Sequence, residues 1–172
     1  MCKTLTTQTE TRSLRRRLGQ YPTGVAIVTT EGRDGKPVGM TINSFHSISM
    51  VPALVGWCID RHAASYCAFA QAEQFSITVL NEHQADVATR FAQRGADKFH
   101  GLRIEPGKPL VIPNGSAWFQ CSVFNRFRLG DHLMLIGQVI DSGESQASPL
   151  VFAQGAFQSL PSLKAQTLAV SA

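Results

Sequence analysis

Two alternating runs flank a two-residue turn in the C-terminal third of the chain, and no other feature constrains the fold as much. From Ala117 to Leu129, Phe119, Cys121 and Val123 alternate with Gln120 and Ser122. Gly130-Asp131 follows, and His132 to Ile140 returns. A period of two puts alternate side chains on opposite faces of a strand. A two-residue turn that opens with Gly matches the twist of an antiparallel pair. The hairpin commits the chain to an antiparallel sheet, which needs further strands and a covering layer to be stable.

The rest of the sequence supplies both. Val25 to Thr30 is β-branched and reads as a buried strand. Glu31 to Gly35, with Asp34-Gly35 as the turn signal, leads into a second strand from Pro37 to Ser44. Ala53 to Ile59 follows Pro52 as another strand. In Phe75 to Val79, Phe75, Ile77 and Val79 take one face and Ser76 and Thr78 the other. Leu150 to Phe152 and Ala156 to Leu160 form a last strand broken at Gly155. Helices are expected over Arg12 to Gln20, with Thr11 or Ser13 as cap, over the Ala-rich Ala63 to Glu73, and over Gln84 to Ala92. Gly95 to Gly115 is irregular and long for a loop without structure, and such loops are often functional. Six or seven short strands with two or three short helices predict a β-barrel with helical crossings. At 172 residues this is one domain, expected over residues 11–160, with disordered tails at 1–10 and 161–172.

Charge and cysteine usage exclude several functions. Lys3, Arg12, Arg15, Arg16 and Arg17 against Glu10 account for the whole net charge of +4, and the remainder of the chain is neutral. A nucleic-acid binder carries its basic stripe on the folded body, so no nucleic-acid partner is expected. The four cysteines, Cys2, Cys58, Cys67 and Cys121, show neither metal-ligand spacing nor a C-x-x-C pair. No metal site is expected, and free thiols suit a reducing cytoplasm. The nearly apolar run Ile48 to Ile59, interrupted by Ser49 and Pro52, is shorter than the roughly 20 residues of a membrane helix, so no membrane partner is expected. There is no dinucleotide-binding glycine fingerprint, no phosphate-binding P-loop and no nucleophile elbow.

One segment stands out chemically. Gly39 to Ser49 is rich in hydroxyls and amides and runs straight into the apolar strand after Pro52. Such groups need partners. They satisfy their own backbone through turns, or they line a groove for a ligand with many donors and acceptors.

At these residues the chain resembles the flavin reductase family of FMN-binding split barrels, the small reductase components of two-component flavin monooxygenases. The likeness runs from Leu14 to Leu160. It includes Tyr21-Pro22-Thr23-Gly24-Val25, Thr41-Ile42-Asn43-Ser44-Phe45 with Ser47-Ile48-Ser49, and Pro52-Ala53-Leu54-Val55 ending in Ile59-Asp60. Phe75 to Leu80, Arg90-Phe91-Ala92, Asp97-Lys98-Phe99-His100-Gly101, Gly130-Asp131-His132 and Pro149 to Phe157 complete it. The chain departs from the family in having Val51 before Pro52, Thr78 where Asn is frequent and Phe152 where Tyr is frequent.

The resemblance implies a mainly β split barrel with short helices. It also implies an NAD(P)H-dependent flavin reductase that supplies reduced FMN or FAD to a separate monooxygenase component, acting as a homodimer. NADH or NADPH is the donor. It implies that Thr41 to Ser49 lines the flavin, with Asn43, Ser44 and Ser47 hydrogen-bonding the ring edge or ribityl chain and Phe45 among them. Asp60, Arg61 and Ser65, at the end of a strand and the start of a helix, are candidates for the phosphate. Lys98 is a second phosphate candidate, and Phe91 or Phe99 packs near the ring. His132, after the tight turn, is the expected nicotinamide-side residue. Two other functions stay open on the sequence: a flavoprotein that retains FMN and acts on its own substrate, and a non-catalytic flavin-binding module.

Overall fold

The structure, a computed structural model, describes residues 8–95, 97–104 and 107–160. Among them are ten strands and three helices in the order α1 (Gln8–Leu18), β1 (Thr23–Gly24), β2 (Ala26–Glu31), β3 (Pro37–Ile42), β4 (His46–Met50), β5 (Ala53–Asp60), α2 (Tyr66–Gln71), β6 (Gln74–Val79), α3 (Ala85–Ala92), β7 (Ala117–Leu129), β8 (His132–Glu144), β9 (Leu150–Ala153) and β10 (Ala156–Ser159). Seven strands form one antiparallel sheet in the order β3-β2-β6-β7-β8-β5-β4. A smaller sheet has the order β1-β9-β10. The expectation of a mainly β chain with short helices holds, although the large sheet ends on β3 and β4, which are not paired with each other.

The β7–β8 hairpin is the centre of this sheet; β7 and the turn match the sequence pattern, and β8 continues past the expected end at Ile140 to Glu144. Gly130 takes φ +60°, a conformation that favours glycine, and so closes the two-residue turn. The register between β7 and β8 slips at Gln120/Cys121 and at Val123/Asn125. Such bulges bend a strand and increase its twist, which curves the sheet.

Curvature gives two cores. Val28, Trp57, Phe69, Phe75, Ile77, Cys121 and Leu135 pack together with α2 against one face. Val25, Ile27, Leu80, Ala88, Phe91, Ile112 and Leu150 pack on the other, under α3. β2 therefore serves both, with Ala26 and Val28 in the first core and Ile27 in the second, beside Val25 just before the strand. That is why it reads as a continuous β-branched run and does not alternate. Three backbone bonds stitch the small sheet to the large one: Val25 N–H to Leu150 O, Leu80 N–H to Val25 O, and Leu150 N–H to Leu80 O.

Several local expectations change. α1 begins at Gln8 and ends at Leu18, four residues earlier at its start than its cap signals indicate, so residues 8–10 are helical. Residues 1–7 and 161–172 lie outside the described residues. α2 covers only Tyr66–Gln71. His46–Met50 is an edge strand that the sequence pattern did not indicate; it has no alternation, because it is mostly exposed. The face of β6 that carries Ser76 and Thr78 is buried too, because the segment after Gly107 lies over it. Ser76 Oγ donates to Pro109 O at 3.0 Å, Thr29 Oγ1 donates to Leu110 O, and Ile112 N–H donates to Thr78 Oγ1 at 3.0 Å. Hydroxyls on the strands thus satisfy a backbone that forms no ladder of its own.

Candidate functional site

α3 crosses β3, and the chain beyond it folds back along the same strand. Thr41 Oγ1 donates to Ala88 O at 2.6 Å and fixes the helix to β3. Phe91, in the last turn of α3, is fully buried and meets Phe99 edge-on, with ring centroids 5.2 Å apart at 82°. Both rings close on Gly39. A Cβ built there would stand 2.9 Å from Phe91 and 3.1 Å from Phe99. A glycine inside a strand is the sequence signal for such a close approach. The Lys98 ammonium donates to Gly39 O at 3.1 Å, and Arg90 Nη1 donates to His100 O at 3.4 Å. The returning segment is thereby held on both sides.

Between β3, this segment and the start of α2 lies a cleft of about 540 Å³. Its size is typical of small-molecule sites. Thr41, Asp60, Ser65, Phe91, Lys98 and Phe99 line it, as do Gly39, Met40 and Arg94. Burial pushes the Lys98 ammonium below the ordinary lysine value, because charge is poorly solvated there. Ser65 stands at the N-cap of α2 but makes no side-chain cap bond. Its hydroxyl donates to Met40 Sδ at 3.3 Å. A thioether is a weak acceptor, so this hydroxyl is easily redirected. The Asp60 carboxylate accepts from the His62 N–H at 2.8 Å and faces the His62 ring at 3.0 Å. The bond from the His62 backbone leads the effects that hold its carboxyl below the usual range.

Asn43, Ser44, Phe45, Ser47, Arg61 and His132 are not part of the cleft wall. Ser44 Oγ accepts from Cys58 N–H at 3.0 Å and donates to Cys58 O at 3.3 Å. Phe45 is half-buried against Phe119, with centroids 5.4 Å apart. Asn43 and Ser47 are exposed. Arg61 is exposed, and its N–H donates to Asp131 O. His132 is the cross-strand partner of Asp60, which puts it beside the cleft mouth. Its Nδ1 lies 2.7 Å from Asp131 Oδ1. The sequence reading did not single out Gly39 or Asp131 as site residues. The first is marked by a lone glycine in a strand, the second only by adjacency to a histidine.

Aromatic walls, backbone and a half-buried cation suit a flat ring system that carries an anion. An ammonium has three donors, and Lys98 uses one on Gly39. The residues present therefore fit a flavin phosphate. Among the described residues no group of His, Cys, Asp or Glu could hold a metal ion.

Comparison with known proteins assigns the chain to a class. Residues 18–161 match the model of the flavin reductase like domain. The chain belongs to that family. It is 39% identical over 143 residues to a flavin reductase of Pseudomonas putida, covering 81% of this chain and 84% of that protein. It is 36% identical over 149 residues to the stachydrine N-demethylase reductase subunit of Rhizobium meliloti (strain 1021), covering 85% of this chain and 64% of that one. It is 40% identical over 149 residues to the reductase component of the flavin-dependent trigonelline monooxygenase of Acinetobacter baylyi. There it covers 85% of this chain but spans only 48% of the relative. Among solved structures, the NADH:FAD oxidoreductase SgcE6 of Streptomyces globisporus C-1027, in complex with NAD and FAD fragments, superposes with a TM-score of 0.82. It is 32% identical, with 93% of this chain and 98% of that chain covered. The relatives thus include a flavin reductase and the reductase component of a flavin-dependent monooxygenase.

Proposed function

We propose that this chain is an NAD(P)H-dependent flavin reductase that delivers reduced FMN or FAD to a separate monooxygenase component. The observation that carries the reading is a cleft with a half-buried Lys98 and a Phe91–Phe99 wall in a chain of this family. When bound, flavin would supply the redox chemistry, with NADH or NADPH as electron donor. The chain's own residues bind and orient. Lys98 and the loosely held Ser65 hydroxyl bind the phosphate, a dianion that favours charged donors. Phe91 and Phe99 give the apolar wall. Asn43 and Ser47, exposed and next along the chain from Thr41, hydrogen-bond the ring edge or ribityl chain. His132, beside Asp60 at the mouth, serves the nicotinamide side.

Homodimer formation is supported by exposed apolar side chains on the β4 edge and the central hairpin. Met50 and Val51 are 84% and 92% exposed, and Phe124, Leu129 and Ile140 are each more than half exposed. Free Cys58, Cys67 and Cys121 support a cytoplasmic location. No helix among the described residues is long and apolar enough to cross a membrane.

The test mixes purified protein with NADH or NADPH and free FMN or FAD. Rapid oxidation of the nicotinamide that depends on added flavin is expected. Flavin binding without oxidation, or oxidation only with a retained flavin and another substrate, defeats the reading.

A further inference from the structure

The turn that carries Lys98 and Phe99 is fastened to α3 by a residue outside the cleft wall. Phe99 O accepts from Leu102 N–H at 3.0 Å, and Gly101 takes φ +75°, so residues 99–102 close a tight turn. Asp97 and His100 pair at 3.8 Å between exposed side chains, which contributes little to holding it. The Phe99 ring rests against Phe91 and over Gly39. One ring contact fixes a point and leaves the peptide free to rotate about it. Arg90 supplies a second point, because its Nη1 donates to His100 O at 3.4 Å. Its guanidinium carbon lies over the Phe91 ring, 5.7 Å from the centroid, so the ring that Phe99 packs against also seats Arg90. Arg90 Nε is buried with no partner among the described residues. Burying an unpaired donor costs stability, so a purely stabilising role explains this side chain poorly. Arg90 does not line the cleft itself.

We propose that Arg90 is a positioning residue: by holding the His100 carbonyl it sets the direction in which the chain leaves Phe99, and so aims the Lys98 ammonium at the flavin phosphate. The inference rests on the flavin reductase reading for the phosphate, and on the geometry of Arg90, Phe91 and His100 alone for the placement of the turn. A cation already in place spares the ordering cost that a free one meets on binding. The ring wall does not depend on Arg90 in the same way. Phe91 is fully buried, and Phe99 is fixed against it and over Gly39. Arg90 therefore acts on recognition of the phosphate and hardly on recognition of the ring system.

The experiment uses the full chain and two measurements. Dissociation constants of FMN and of riboflavin, which lacks the phosphate, are compared in the wild type, R90M, R90K, K98A and the R90M/K98A double variant. Amide hydrogen exchange at Leu102, whose N–H closes the turn, is compared in ligand-free wild type and R90M. R90M should weaken FMN roughly 2- to 12-fold and leave riboflavin within twofold. In the K98A background the same change should move FMN affinity by less than twofold, because Arg90 acts through Lys98. R90K, whose ammonium can donate to the same carbonyl, should recover most of the loss. Exchange at Leu102 should quicken in R90M. Unchanged FMN affinity in R90M, equal losses for FMN and riboflavin, a full loss in the K98A background, or R90K no better than R90M each overturn the proposal. If the wild type binds FMN no more tightly than riboflavin, the phosphate assignment falls with the functional reading, and quickened exchange leaves the placement of the turn standing. Unchanged exchange in R90M overturns that placement itself.

Discussion

Two stretches of this chain are polar and sit at the edge of a sheet, and the structure uses them in opposite ways. In Asn43 to Ser47 the most engaged side chain, Ser44, is spent on the backbone of Cys58. It continues the β4–β5 pairing past His46–Gly56 as a side-chain substitute for a ladder rung. In the segment after α3, Lys98 and Phe99 are half-buried against Gly39 and line an open cleft. In the first stretch Ser44 is an architectural device, whereas Lys98 and Phe99 in the second form a wall for a ligand. A hydroxyl-rich sequence does not reveal which it is, because its hydroxyls satisfy backbone and ligand with the same chemistry.

The sharpest way to break the ligand wall is at its narrowest point. Gly39→Val places methyl groups where Phe91 and Phe99 now lie within 3.1 Å of the added Cβ. Phe91 is fully buried and has little room to retreat. Overpacking of this kind costs about 3 kcal/mol. The expected outcome is a midpoint lowered by roughly 6–12 °C, at about 2–4 °C per kcal/mol for a domain of this size. The same change narrows the cleft, so FMN affinity should fall even in protein still fully folded at low temperature. Unaltered stability and affinity would mean that the two rings do not close on Gly39.

A second test uses charge. Burial lowers the proton affinity of Lys98. Its folded value therefore lies below its unfolded one, and between the two the unfolded chain holds more protons. Across that alkaline window its contribution to stability grows more favourable as pH rises, while the cleft loses its cation. FMN affinity should thus weaken at a lower pH than an ordinary lysine allows, by roughly tenfold once the charge is gone. Riboflavin, which has no phosphate, should keep its affinity. K98R carries a charge that does not titrate in this range, so it should move the loss to higher pH. Titrations of both flavins against pH in the two proteins decide it.

Legibility followed the same division. The turn and β7 of the central hairpin were readable because both of its signals, a period of two and a Gly-Asp turn, are local, while β8 runs on to Glu144, four residues past the expected end. β4 was not, because an exposed edge strand needs no apolar alternation. The buried polar face of β6 was not, because its cover is an irregular segment thirty residues on, and nothing in Ser76 or Thr78 announces Pro109 or Ile112 as partner. At the site, Phe91, Lys98 and Phe99 were named by family likeness and do share one cleft. Which hydroxyls remain free for a ligand depends on long-range partners: Thr41 on Ala88, Ser44 on Cys58, Ser65 on Met40.

The smallest expected effect separates the two stretches most cleanly. In Ser44→Ala, the Cys58 N–H and C=O lose the hydroxyl that serves both. Ser44 is half-buried, so water can replace part of what is lost, and the cost should be about 1 kcal/mol. No atom of the cleft wall is touched, because Ser44 does not line it. Stability should fall by about 2–4 °C in the thermal midpoint. FMN affinity and nicotinamide oxidation, measured well below that midpoint, should stay within twofold of the wild type. A hydroxyl that instead hydrogen-bonds the flavin would reverse the pattern, lowering affinity several-fold with little change in the midpoint. Measuring both quantities on one variant therefore shows whether Ser44 serves the sheet or the ligand.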